Sequence, residues 1–220
     1  ASESSSTAVE NGESSVPPLS QPRIVASRDL RVAIHTAPDD PEGGAYGIWA
    51  AGETYKSSFH GDFTFVPYMG GVYPENQPLS WRTVSATVGS TSIAMLADPT
   101  RQQGEYRYEY QFAGLTEAYD VLVEGVEQTF VIGARPMLAG DLVVSGALTT
   151  NRLAAPVVDT HGEIVFADAL GNVILRYGAA VAFDARGERT PVFTSYDGGQ
   201  IHLRVPGDWL SKATFPVTID

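Results

Sequence analysis

In EYRYEYQF (residues 105–112), Tyr106, Tyr108, Tyr110 and Phe112 take every second position, and Glu105, Arg107, Glu109 and Gln111 fill the places between. A β-strand sends successive side chains to opposite faces, so this period of two describes a strand with aromatic rings on a core and charges outward. The acids on the charged face, with Arg107 between them, read as an ion-pair ladder. As a glycosidase pair, Glu105 and Glu109 would sit about 13–14 Å apart at roughly 3.4 Å per residue. That exceeds the separation of about 6.5–9.5 Å used by inverting enzymes.

Outward from this strand the pattern stays β. Residues 115–124 and 126–133 (VEQTFVIG) read as strands linked at Gly125, and residues 82–97 as two strands joined at Gly89 and Ser90. Downstream, DLVVSGAL (141–148) opens a second series. The turns DALGN (168–172), DARGE (184–188) and YDGGQ (196–200) follow one another at 16 and 12 residues. Each offers Gly or Asn for positive φ, or an Asp that bonds its own backbone. They separate strands near 163–167, 173–176, 180–183, 191–195, 200–205 and 214–219. Such spacing indicates a sandwich or barrel rather than helices. Residues 206–208 can start one helical turn with Asp208 as N-cap and Trp209 and Leu210 turned inward.

The expected fold is therefore all-β: antiparallel β-sandwiches in two packed sandwich-like halves, preceded by a flexible N-terminal tail. Residues 1–22 form the tail, 23–135 the first half and 136–220 the second, with the boundary at Arg135 and Pro136. Within the first half, residues 30–35 alternate Leu30, Val32 and Ile34 on one face with Arg31, Ala33 and His35 on the other. A less regular segment, 46–81, holds nine aromatic residues among Gly and Pro.

Composition narrows the function. The formal net charge is −12, and of 14 basic residues only Lys56 and Lys212 are lysines. A nucleic-acid partner needs Lys and Arg to neutralise phosphates, so it is not expected. No apolar run approaches the roughly 18 residues of a membrane span, and no membrane insertion is expected. Cysteine is absent, which removes disulfides, thiolate chemistry and cysteine-ligated metals. The first 22 residues, ASESSSTAVENGESSVPPLSQP, have too little apolar surface to offset their ordering entropy. A small residue followed by a polar spacer is what remains after signal-peptide cleavage, and a linker boundary would look the same.

Residues 184–187 (DARG), Tyr177 with Gly178, and WLSKATFPVTID (209–220) carry a resemblance. The region from about 140 to 220 resembles a β-rich region of large secreted bacterial proteins that bear YD/RHS-type or FG-GAP-type repeat arrays. The likeness extends more loosely over 81–135. It rests on turns and packing residues, and it implies a secreted, modular, non-catalytic part. In such proteins a Pro and further domains follow the final Asp, whereas this sequence stops at Asp220.

Candidate chemistry is sparse. The four histidines, His35, His60, His161 and His202, lack the short spacings that place two metal ligands on one element. The acidic turn at Asp39, Asp40 and Glu42 lacks the alternating pattern of a calcium loop, and no metal or cofactor is expected. There is no Gly-x-Ser-x-Gly elbow and no phosphate loop. Two binding ideas remain. Trp49, Tyr55, Tyr68, Tyr73 and Trp81 are candidates for a platform that stacks on a glycan, or else core rings. Leu30, Val32 and Ile34 are candidates for assembly, in which the N-terminal segment adds as a strand to a neighbour's sheet edge. The reading that follows is a non-catalytic, extracellular structural or adhesive protein of a bacterial surface, partnered by copies of itself or by further domains. A carbohydrate-binding module and a processed fragment of a larger secreted enzyme are the alternatives.

Overall fold

The computed structural model describes residues 30–36, 47–68, 77–150 and 153–220. The tail 1–22, the acidic turn and Tyr73 lie outside the described residues. The described chain is antiparallel β throughout except for one four-residue helix. In order it forms β1 (His35–Thr36), β2 (Ile48–Ala51), β3 (Tyr55–Ser58), β4 (Phe63–Pro67), β5 (Leu79–Val88), β6 (Thr91–Ser92), β7 (Met95–Gln103), β8 (Arg107–Ala113), β9 (Leu115–Val121) and β10 (Val126–Ile132). There follow β11 (Leu142–Thr150), β12 (Val157–Val158), β13 (Ile164–Ala167), β14 (Val173–Tyr177), β15 (Val181–Asp184), β16 (Arg189–Pro191), β17 (Phe193–Asp197), β18 (Gln200–Val205), α1 (Gly207–Leu210) and β19 (Val217–Ile219).

Two large sheets pack face to face as a sandwich. The first has the order β1-β2-β3-β4-β5-β11-β18-β17, with β6 on β5; the second runs β16-β15-β19-β10-β9-β8-β7. Between them Phe63 of β4 stacks on Tyr119 of β9 with ring centroids 4.0 Å apart, and Trp81 of β5 meets Phe130 of β10 at 5.9 Å. A third sheet, β12-β13-β14, lies against the side of the sandwich, where Tyr177 stacks on Trp81 at 5.7 Å and 4°.

Strand pairing crosses the boundary expected at Arg135 and Pro136. β5 pairs with β11 over nine registered positions, and β10 pairs with β19, so both large sheets draw on either side of it. One buried cluster runs from Ile34 to Ile219. Arg135 itself clasps the end of the chain, donating to the carbonyls of Ser211 at 2.7 Å and of Ala213. The polar, turn-forming residues at 133–141 give a loop signal, but a loop between two strands of a shared core looks the same as a linker between two cores.

Strand β8 follows its pattern. Tyr108 and Tyr110 are buried, while Arg107 donates to Glu109 at 2.8 Å on the other face. The expected helical turn forms, but Asp208 lies in its first turn and Pro206 is the N-cap. The orphan amide of Gly207 is satisfied from outside the helix by Asp141 Oδ1 at 2.8 Å. The described part of the segment 46–81 is more regular than its composition suggests: β2 pairs with β3, β3 with β4 and β4 with the start of β5, and Tyr55, Phe59, Phe63 and Trp81 are buried. Among the described residues no helix is long and apolar enough to cross a membrane.

Candidate functional site

The most enclosed polar chemistry sits on Glu117 of β9. Its neighbours in the strand, Ala118 to Val121, are all buried, so the carboxyl group is carried into the space between the sheets. Three donors meet it: Thr83 Oγ1 at 2.6 Å, the Tyr119 hydroxyl, and Gln128 Nε2 at 3.1 Å. Behind them, Trp81 Nε1 donates to Thr83 at 2.9 Å, and the Tyr177 hydroxyl donates to Gln128 Oε1 at 2.9 Å. The network thus links β5, β9, β10 and β14. Burial pushes the Glu117 carboxyl above the usual range, opposed by the hydrogen bonds from Thr83, Tyr119 and Gln128. Burial and then the nearby Glu117 likewise raise the hydroxyls of Tyr119 and Tyr177. These groups bond one another, which makes the network a brace between layers.

Above this floor is a cleft of about 500 Å³. Phe63, Phe65 and Pro67 of β4 form one wall, Val126 and Gln128 of β10 the floor beside Trp81, and every residue of β14 the opposite wall. Thr54, Tyr68, Glu124 and Gly125 complete the rim. Its position follows from the layers: β14 packs against the core through Leu175 and Tyr177, and the cleft lies between that strand and β4 and β10. A smaller cavity of about 100 Å³ lies on the other side of Glu117, lined by Asp62, Arg101 and Tyr110 among others.

The candidate ligand platform is dispersed. Tyr55 is 1% exposed, stacks on Phe65 and donates its hydroxyl to the carbonyls of Leu122 and Gly125. Trp81 is 2% exposed and lies at the cleft floor. Trp49 lies on β2, half-buried, with its ring 5.0 Å from that of His35. Tyr68 is on the cleft rim with the Lys56 ammonium 5.9 Å from its ring centre. Aromatic spacing alone does not distinguish rings that line a cleft from rings that fill the sheet interface: Tyr55 does the latter, Tyr68 the former, and Trp81 both.

The assembly candidates are engaged with their own molecule. Val32 N bonds Val121 O at 2.9 Å, Ile34 N bonds Glu105 O at 2.8 Å, and Ile34 is buried in the shared core. Leu30 is exposed, and its carbonyl accepts from Val123 N at 2.9 Å.

The histidines stand apart. His202 Nδ1 lies 2.8 Å from Ser145 Oγ across β18 and β11, a cross-strand pair of the kind that stabilises sheets. His161 is 3.7 Å from Asp159 in an exposed turn. Among the described residues no group of three or more His, Asp or Glu is placed to hold a metal ion.

Sequence reasoning missed the Glu117 network and the cleft. The network had one legible signal: Glu117 falls between Leu115 and Tyr119, on the apolar side of its strand's alternation. Comparison with protein-family models, with curated proteins and with solved structures yields no match.

Proposed function

We propose that this chain is a non-catalytic, extracellular structural or adhesive β-sandwich module of a bacterial surface, working through contacts at its sheet edges. The observation that carries the reading is the edge of β14. It pairs with β13 on one side, has no strand on the other among the described residues, and fronts an apolar cleft. Several other edges are blunted: β1 has two residues, β16 ends in Pro191, and β7 contains Pro99, while β17, five residues without proline, is likewise an open edge among the described residues. β14 has neither shortness nor proline. What sets β14 apart is that its open edge fronts an apolar cleft, an arrangement suited to receiving an extended strand.

The chemistry of the acids supports a role by contact. Asp159, Asp168 and Asp184 spend their carboxylates on turn amides, and Glu117 spends its own on the brace. The secreted character rests on the resemblance of residues 140–220. The glycan reading has less support, because Gln128 at the cleft floor is already bonded to Glu117, Tyr119 and Tyr177.

Labelling intact cells of the source organism with an antibody against the purified chain tests the location. Staining of unbroken cells or of the medium is expected. Signal that appears only after lysis would overturn the extracellular reading.

A further inference from the structure

The cleft is a slot with one backbone wall. Residues 173–177 all line it, and the outward N–H and C=O groups of β14 have no backbone partner among the described residues. Its other walls are largely side chains of Phe65, Pro67 and Val126. A guest rich in hydroxyls finds the floor groups already bonded to one another. A guest with an extended backbone and small apolar side chains finds both a strand edge and an apolar surface.

The described chain begins beside this slot. The carbonyl of Leu30 accepts from Val123 N, and the next two residues, Glu124 and Gly125, form part of the rim. The 29 residues that precede Leu30 therefore join the fold at the mouth of the cleft. The nearest apolar stretch among them is RIVAS, residues 23–27, with Ile24 and Val25 between Arg23 and Arg28. From Ser27 to Leu30 an extended chain covers about 10 Å, so the stretch starts within reach of the rim. We propose that residues 23–27 of this chain occupy the cleft and pair with the free edge of β14. The pairing supplies backbone partners to a strand edge and covers the apolar walls, and it holds wherever the protein resides.

The absence of cysteine makes a direct test simple. In the full-length purified chain, Ile24→Cys is combined with Ile174→Cys in the cleft, or with Val84→Cys, an exposed position on β5 that does not line it. Under mild oxidation the cleft pair is expected to form a disulfide about tenfold faster than the control pair. A bond within one molecule and a bond between two both place the segment on the edge, and a non-reducing gel distinguishes self-cover from exchange. Equal rates for the two pairs would overturn the proposal. A second measurement leaves the cleft unaltered: in Ile24→Asp, amide hydrogen exchange over residues 173–177 should quicken by about tenfold. Unchanged exchange would also overturn it. Both readouts use purified protein, so they succeed or fail separately from the labelling of cells.

Discussion

A Cβ placed on Gly146 would lie 2.0 Å from Cζ2 of Trp81, so the indole rests directly on the bare backbone of β11. The contact falls where the register between β5 and β11 shifts, with Val84 as the extra residue between Thr83 and Ser85. The ring cannot turn away, because its Nε1 is bonded to Thr83 and its face is stacked on Tyr177. Gly146→Ala should therefore destabilise by about 3 kcal/mol, at the upper end of the range for overpacking. In a Trp81→Phe background the same change should cost about 1–2 kcal/mol less, since contacting residues couple. Urea unfolding of the four proteins measures the cycle, and additive effects would show that the two residues do not share the space.

The rim of the cleft depends on Tyr55. Its hydroxyl reaches the carbonyls of Leu122 at 2.5 Å and Gly125 at 2.7 Å, fastening the β9–β10 turn to β3. Tyr55→Phe keeps the ring against Phe65 and removes both bonds. A loss of about 1 kcal/mol is expected, the net value of one hydroxyl proton shared between two half-buried carbonyls, of which Gly125 O keeps the amide of Leu122. Faster amide exchange at residues 122–126 should accompany it; stability equal to that of the unmodified protein would show that the turn is held by other contacts.

How far the sequence spoke is clearest in the turns. Asp184 in DARGE accepts the amides of Arg186 and Glu188, and Gly187 has φ 82°, as its residue types demand. Asp168 in DALGN repeats the arrangement with Gly171 at φ 85°. So does DTHGE at 159–163, with Gly162 at φ 85°, a turn that the same Asp-x-x-Gly spacing marks in the sequence although His161 there draws attention as a ligand. Turns are local, and local chemistry is legible. The cleft is not, since it lies between β14 and the strands β4 and β10, more than 40 residues distant in sequence. The buried fate of Tyr55 and Trp81 has the same origin: a ring's neighbours across two sheets are not written beside it.

Asp184 also sets an acid-side limit. The amide of Thr214 holds its carboxyl below the usual range; burial opposes this, and the amides of Glu188 and Arg186 add to it. A depressed folded value means stability that is present above the ordinary Asp pKa and lost as pH falls through the folded one. Asp184→Asn keeps the shape but turns a donor toward Thr214 N and Arg186. Its melting temperature should fall near neutral pH, and its gap to the unmodified protein should narrow in acid. A gap that stays constant on acidification would remove Asp184 from the acid limb.

Glu117 works in the opposite sense. Burial raises its folded value above the unfolded one, so the folded state holds the proton more tightly. Stability from this group is complete below the ordinary Glu pKa and declines as pH rises from there through the raised folded value. Glu127, raised by burial and by Asp220, titrates with the same sign but is present in both proteins of the comparison. Glu117→Gln keeps an acceptor for Tyr119 and Gln128 and removes the titration. Subtracting its stability curve from that of the unmodified protein should leave a decline that starts near the ordinary Glu range. Glu117→Ala instead orphans Thr83, Tyr119 and Gln128 and opens a cavity, with an expected loss of about 3 kcal/mol or more at any pH. Because the brace runs through Gln128 to Tyr177, the Ala variant should also loosen β14 and speed exchange along the cleft wall. If Glu117→Gln retained the same pH slope as the unmodified protein, the titration would belong to another group and the brace would act by geometry alone.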